Sequence, residues 1–158
     1  MWEAIVSFVY NYSFLAAVAA SLIAQLLKFV INAIVNREFK VERLHGDGGM
    51  PSAHTATVIA LATVVGYTEG WDSAVFAVSL ILAVVVMHDA VGVRRETGKQ
   101  AEDIGQLFAA INDMLGEKDK IEQKKKLKTL VGHTHLQVFF GAVTGILVAV
   151  LFIAIFIH

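Results

Sequence analysis

Between Gly46 and Leu61 the chain reads GDGGMPSAHTATVIAL, where three glycines and the single proline of the sequence lead into an apolar segment. Proline suits the first turn of a helix, because its missing N–H would be unpaired there anyway. The N–H groups that follow, those of Ser52, Ala53 and His54, point at the helix mouth and attract an anion. Ser52 adds a hydroxyl donor, and His54 adds a group that can transfer a proton near neutral pH. A proline and serine at a helix start are ordinary structure by themselves, yet with an adjacent histidine they suit phosphate.

Two further stretches carry compatible chemistry. HDAVGVRRETGKQA, His88 to Ala101, places Arg94 and Arg95 side by side after an apolar run, and a guanidinium forks onto phosphate oxygens better than any other side chain. Arginines at the end of a span are also simple anchors. Asp89, close before them, is suited to orient one arginine or balance its charge. GHTHLQVFFGAVTG, Gly132 to Gly145, sets Gln137 one helical turn after His133. A histidine held through one ring nitrogen presents the other as a nucleophile or proton carrier. His135 has Phe139 at the same offset and ranks second. His88 and Asp89 are adjacent but belong to no cluster with metal-ligand spacing, so holding a neighbouring side chain or packing suits them better and no metal or other cofactor is required. A divalent ion lacks an evident ligand set.

These residues need elements to hold them, and composition names the class. Of 158 residues, 56% are hydrophobic and 17% charged, with a mean hydropathy of +0.64. That balance excludes an ordinary soluble domain and indicates an all-α polytopic membrane bundle, a single integral membrane domain over 1–158. Four segments approach the roughly 20 apolar residues needed to cross a bilayer: 13–35, 52–67, 73–93 and 136–157. The second is short and begins at the polar motif, which allows a tilted or half-submerged helix. The absence of cysteine removes disulfides and thiolate metal sites. A cleavable signal peptide is not expected, since the first apolar segment has an acidic lead-in at Glu3.

Charge gives an orientation. All Lys and Arg except Lys28, which lies within the first span, fall in the loops after the first and third spans. The opposite side carries Glu3, Glu69 and Asp72. By the positive-inside rule both basic loops are cytoplasmic and both termini face outward across the plasma membrane. Lys28, Ser52, His54, Asp89, Arg94, Arg95, His133 and Gln137 then all sit near the cytoplasmic ends of the spans. Intramembrane polar groups are costly and therefore functional by default, and four helix ends brought together would ring one pocket.

The longer cytoplasmic segment has its own pattern. Ile104, Leu107, Phe108, Ile111, Met114 and Leu115 recur at helical spacing, predicting an amphipathic helix that ends near Gly116. A lysine-rich helix to about Leu130 follows. Such a pair suits the headgroup layer, a cover for the site, or a homodimer contact. The small residues of AAVAASLIAQ and FFGAVTG permit close helix approach. No nucleic-acid partner is expected.

Pro51-Ser52-Ala53-His54 resembles the Pro-Ser-Gly-His motif of the type 2 phosphatidic acid phosphatase (PAP2) superfamily, which includes the vanadium haloperoxidases. From Lys28 through GGMPSAH, DAVGVRR, GKQA and GHTHLQVFFG, the whole chain resembles the divergent PAP2 family of small bacterial membrane proteins. The resemblance implies a phosphate-binding Lys28 and Ser52, His54 as general acid, and His133 as the nucleophile that forms a phosphohistidine. The superfamily pattern also has a Ser-Arg pair before that histidine and an aspartate after it. Here residues 126 and 127 are Lys and Leu, Gln137 stands for the aspartate, and Arg37 precedes glutamate rather than proline. The order of motifs is kept if Arg94 or Arg95 takes the missing arginine's part and residues 96–131 are an insertion. The implied activity is hydrolysis of a phosphomonoester on an inner-leaflet lipid, of phosphatidylglycerophosphate or phosphatidic acid type. Two other readings use the same features: a transporter that binds lipid phosphate without cleaving it, and an assembly partner recruiting proteins through its basic helices.

Overall fold

The computed structural model describes residues 10–36, 49–115 and 132–157, together with Trp2. Arg37, Lys40, Arg43 and the lysine-rich segment 116–131 lie outside the described residues. The described chain is helical: α1 Tyr12–Asn36, α2 Ala53–Glu69, α3 Ala74–Val91, α4 Val93–Leu115 and α5 His135–Phe156. The protein is an all-α membrane bundle. Three stretches are long and apolar enough to cross a bilayer, one in α1, one beginning at α3 and one in α5. α2, with 17 residues, rises about 25 Å at 1.5 Å per residue and lies against α1, α3 and α5.

Small residues explain how so few helices pack. Ala16, Ala20 and Ala24 repeat every fourth position of α1, and Lys28 continues the same row; all four are buried. They meet Ala53, Ala56, Ala60 and Val64 of α2, with Val148, Ala149 and Ile153 of α5 closing the core. Larger apolar side chains such as Leu22, Val78 and Leu147 point outward, as expected where the surrounding solvent is hydrocarbon.

The α2–α5 crossing is tight. A Cβ at Gly141 would lie 2.6 Å from Ser52 O, and one at Gly145 would lie 2.6 Å from Ala56 O. Glycine spaced every fourth residue therefore lets the two backbones touch, and the upper contact is made at the polar motif itself.

The chain breaks where it must redirect. Ser52, Ser73 and Thr134 cap the starts of α2, α3 and α5 through their side-chain oxygens. Gly92 separates α3 from α4. The amphipathic helix expected to end near Gly116 is α4; it packs on α3 and leaves Ile104, Leu107 and Met114 exposed.

Candidate functional site

Two helix starts face each other at one end of the bundle. At the start of α2, Ser52 has extended backbone (φ −71°, ψ 114°) and its Oγ accepts the N–H of Thr55. At the start of α5, Thr134 Oγ1 accepts the N–H of Gln137 while Gln137 Oε1 accepts the N–H of Thr134, a reciprocal capping pair. One backbone bond joins the two mouths, from Ser52 N–H to Gln137 O at 3.0 Å.

His133 precedes α5 and is held through both its main chain and its ring. Its N–H donates to Ala90 O of α3 at 2.9 Å. Its Nδ1 lies 3.1 Å from Gln137 Oε1. Because that same oxygen takes the Thr134 N–H at 3.1 Å, it is the acceptor of the amide, and Nδ1 must carry the proton. The lone pair of the neutral ring is then on Nε2. The residue before it, Gly132, has φ +88°, and a Cβ there would lie 2.4 Å from Arg95 N. Both the left-handed backbone and the tight approach require glycine.

The rings of His54 and His133 stand 6.3 Å apart, centre to centre, inclined at 60°. They border a cavity of about 260 Å³ whose other walls are Val85, Val86, Asp89, Ala90 and Arg94. Arg94 Nε binds Asp89 Oδ2 at 2.6 Å, so the carboxylate orients the guanidinium and the two Nη groups remain to meet a ligand. His133 is 3% exposed, whereas His54 is open to the surroundings. One histidine is anchored in the protein and the other stands at its edge.

Not every residue singled out from sequence reaches this cavity. Asp89 and Arg94 do, and Gln137 stands directly behind His133. Ser52 is fully buried and lies outside the cavity wall, and its N–H, expected to face an anion, is bound to Gln137 O. That leaves the N–H groups of Ala53 and His54, which by position in the first turn have no helical acceptor. Arg95 is half-buried with its backbone against Gly132, away from the cavity wall. Lys28 is 5% exposed, and its Cγ and Cδ lie under Gly49, 3.1 Å from where a Cβ would be. It supports the loop leading into Pro51. His88 and His135 do not border the cavity, and among the described residues no three His, Asp or Glu side chains come together as a metal-binding group.

Sequence reasoning missed several parts. The Thr134-x-x-Gln137 pattern is a capping signature that identifies Gln137 as a helix-start residue before it is anything else. The apolar wall of Val85, Val86 and Ala90 gave no signal, because a valine in a span looks the same on every face. Thr55, fully buried beside Ser52, was also passed over.

Comparison with known proteins agrees with the family resemblance. The sequence profile described as the Divergent PAP2 family matches residues 9–148. The chain is 46% identical over 143 residues to a protein of Bacillus subtilis (strain 168) named "Uncharacterized membrane protein YuiD", covering 87% of this chain and 90% of that one. No solved structure matches. With the profile spanning nearly all of the bundle, from before α1 into α5, the chain belongs to the divergent PAP2 family.

Proposed function

We propose that the protein is a phosphatase that removes the phosphoryl group from a lipid phosphomonoester of the inner leaflet, of the phosphatidylglycerophosphate or phosphatidic acid type. The observation that carries the reading is the pair His54 and His133 facing across a cavity that Arg94 also borders. One ring is anchored with its proton on Nδ1, which suits a nucleophile; the other is exposed, which suits a proton carrier.

In this mechanism the phosphoryl oxygens meet the Nη groups of Arg94 and the N–H groups of Ala53 and His54, which oppose the charge that builds on them. His133 Nε2 attacks phosphorus in line, forming an N–P bond as the P–O bond to the lipid breaks. His54, entering as imidazolium, gives its proton to the departing alkoxide. Water then attacks the phosphohistidine, with neutral His54 accepting a proton from it, and inorganic phosphate leaves. Gln137 Oε1 holds the Nδ1 proton throughout. Lys28 acts at one remove by supporting the entry to Pro51.

The basic loops after the first and third spans support a cytoplasmic site in the plasma membrane with both termini outside. Gln137 favours one competing reading, transport of the lipid phosphate without hydrolysis, because a neutral amide stabilises an imidazolium less than a carboxylate does. Purified protein assayed for phosphate release from both lipids separates the two. Release that disappears in His54→Ala and His133→Ala supports hydrolysis, and no release from the wild type under varied pH and divalent ions overturns it.

A further inference from the structure

A second cavity, of about 580 Å³, runs along α2 toward the end of that helix farthest from His54. Ala17 and Val18 of α1, Leu61 and Val65 of α2 and Val75 of α3 form its apolar walls. On α2 it reaches from Thr57 to Glu69, which at 1.5 Å per residue is about 18 Å. Half of a hydrocarbon core roughly 30 Å thick is about 15 Å, so the cavity is as long as the lipid chains of one leaflet. The Thr57 hydroxyl donates to Ala53 O of its own helix at 2.8 Å, and the deep end therefore offers a ligand no donor from that side chain.

The mouth is polar, and it joins two helix ends of opposite sign. α1 starts there at Tyr12 and α2 ends there at Glu69. The N–H groups in the first turn of α1 carry partial positive charge, and the last carbonyls of α2 carry partial negative charge. The side chains repeat that pattern. Asn11 Oδ1 accepts the N–H of Phe14 at 3.0 Å, which leaves Asn11 Nδ2 to donate. Glu69 brings an exposed carboxylate whose side chain has no ion pair or hydrogen bond among the described residues. No Lys or Arg occurs before Lys28 or between Arg43 and Arg94, so a headgroup of net negative charge meets no cationic side chain from those segments.

We propose that this cavity binds a zwitterionic phospholipid with an ammonium headgroup, one acyl chain lying along α2 and the headgroup bridging the two helix ends. The ammonium meets Glu69 and the carbonyl end of α2, and the phosphate meets Asn11 Nδ2 and the N–H end of α1. The reverse placement sets phosphate against a carboxylate and is repelled. On the orientation given by the basic loops, this is a lipid of the outer leaflet, across the membrane from the proposed substrate. Its chain fills a side of α2 between α1 and α3. Binding here needs neither His54 nor His133, so it stands apart from the phosphatase reading.

The test is native mass spectrometry of the full chain in detergent, with an equimolar mixture of dioleoyl phosphatidylethanolamine and dioleoyl phosphatidylglycerol, which differ in headgroup alone. The wild type is expected to retain the ethanolamine lipid about two- to fivefold over the glycerol lipid, the scale of one exposed ion pair. Glu69→Gln, at an exposed position, is expected to erase that preference. Val18→Trp is expected to lower retention of both lipids severalfold by filling the cavity, at a position 39% exposed and so outside the core. A melting curve checks that this variant folds, and if it does not, Glu69→Gln decides. No preference in the wild type, the same preference in Glu69→Gln, or undiminished retention in folded Val18→Trp overturns the site. A dimer mass that Val18→Trp abolishes, with little lipid retained by the wild type, assigns the cavity to a second copy and overturns it as well. Because no turnover is read, lipid selectivity and phosphate release fail independently.

Discussion

The backbone N–H of Ser52 donates to the carbonyl oxygen of Gln137 at 3.0 Å, so the residue that orients His133 through its side chain also docks the start of α2 through its main chain. Side-chain substitution at Gln137 separates the two jobs, since any residue retains the carbonyl. Gln137→Leu is expected to lower kcat by roughly ten- to a hundredfold, the scale seen when an orienting partner is lost, while leaving the bundle folded. Phosphate release and a melting curve on the same preparation check this, and a lost fold would show that the side chain's capping role dominates.

The arginines are expected to separate cleanly. Arg94→Ala should reduce kcat/KM by about tenfold to a hundredfold, as a charged hydrogen bond to phosphate is lost. Arg95→Ala should stay within about threefold, because Arg95 does not line the cavity. Steady-state kinetics on both variants decides, and equal losses would show that Arg95 reaches the substrate.

Asp89→Asn keeps the size of the side chain and removes its charge. The Nε–H of Arg94 then meets a neutral acceptor in place of a carboxylate and its plane is held less firmly, so KM is expected to rise more than kcat falls. A fall in kcat at constant KM would instead indicate that Asp89 acts on the reacting atoms.

Gly141→Ala and Gly145→Ala each place a methyl group 2.6 Å from a carbonyl oxygen of α2. Overpacking of this kind costs about 1–3 kcal/mol, and both variants should melt at lower temperature. Gly141→Ala should also lose activity, because the displaced oxygen belongs to Ser52. Retained activity at Gly141→Ala would mean that α2 can shift without disturbing the site.

A reporter domain fused after His158 checks orientation. It is expected to report from outside the cell, as the bias of basic residues predicts, and a cytoplasmic signal would move the site to the outer leaflet.

Much of the architecture was legible in sequence because in a membrane the apolar runs and the small residues are the architecture. The starts of α2 and α5 were marked by Pro51, Ser52 and the polar residues around His133. The Arg94–Asp89 pair and the His133–Gln137 pair were legible as well, since in each the partners are only four or five residues apart. Contacts between distant segments were not. Nothing in the sequence says that Ser52 N–H goes to Gln137 O rather than to an anion, or that Lys28 lies beneath Gly49, because these depend on how closely α2 and α5 cross. Nor does adjacency distinguish Arg94 from Arg95; that choice is made by where α4 begins after Gly92.

Gly132 touches the backbone at Arg95, so the chain between those two residues departs and returns at a single point of the bundle. That junction lies beside the cavity that His133 borders. A side chain that widened it would displace Gly132 and, one residue later, His133.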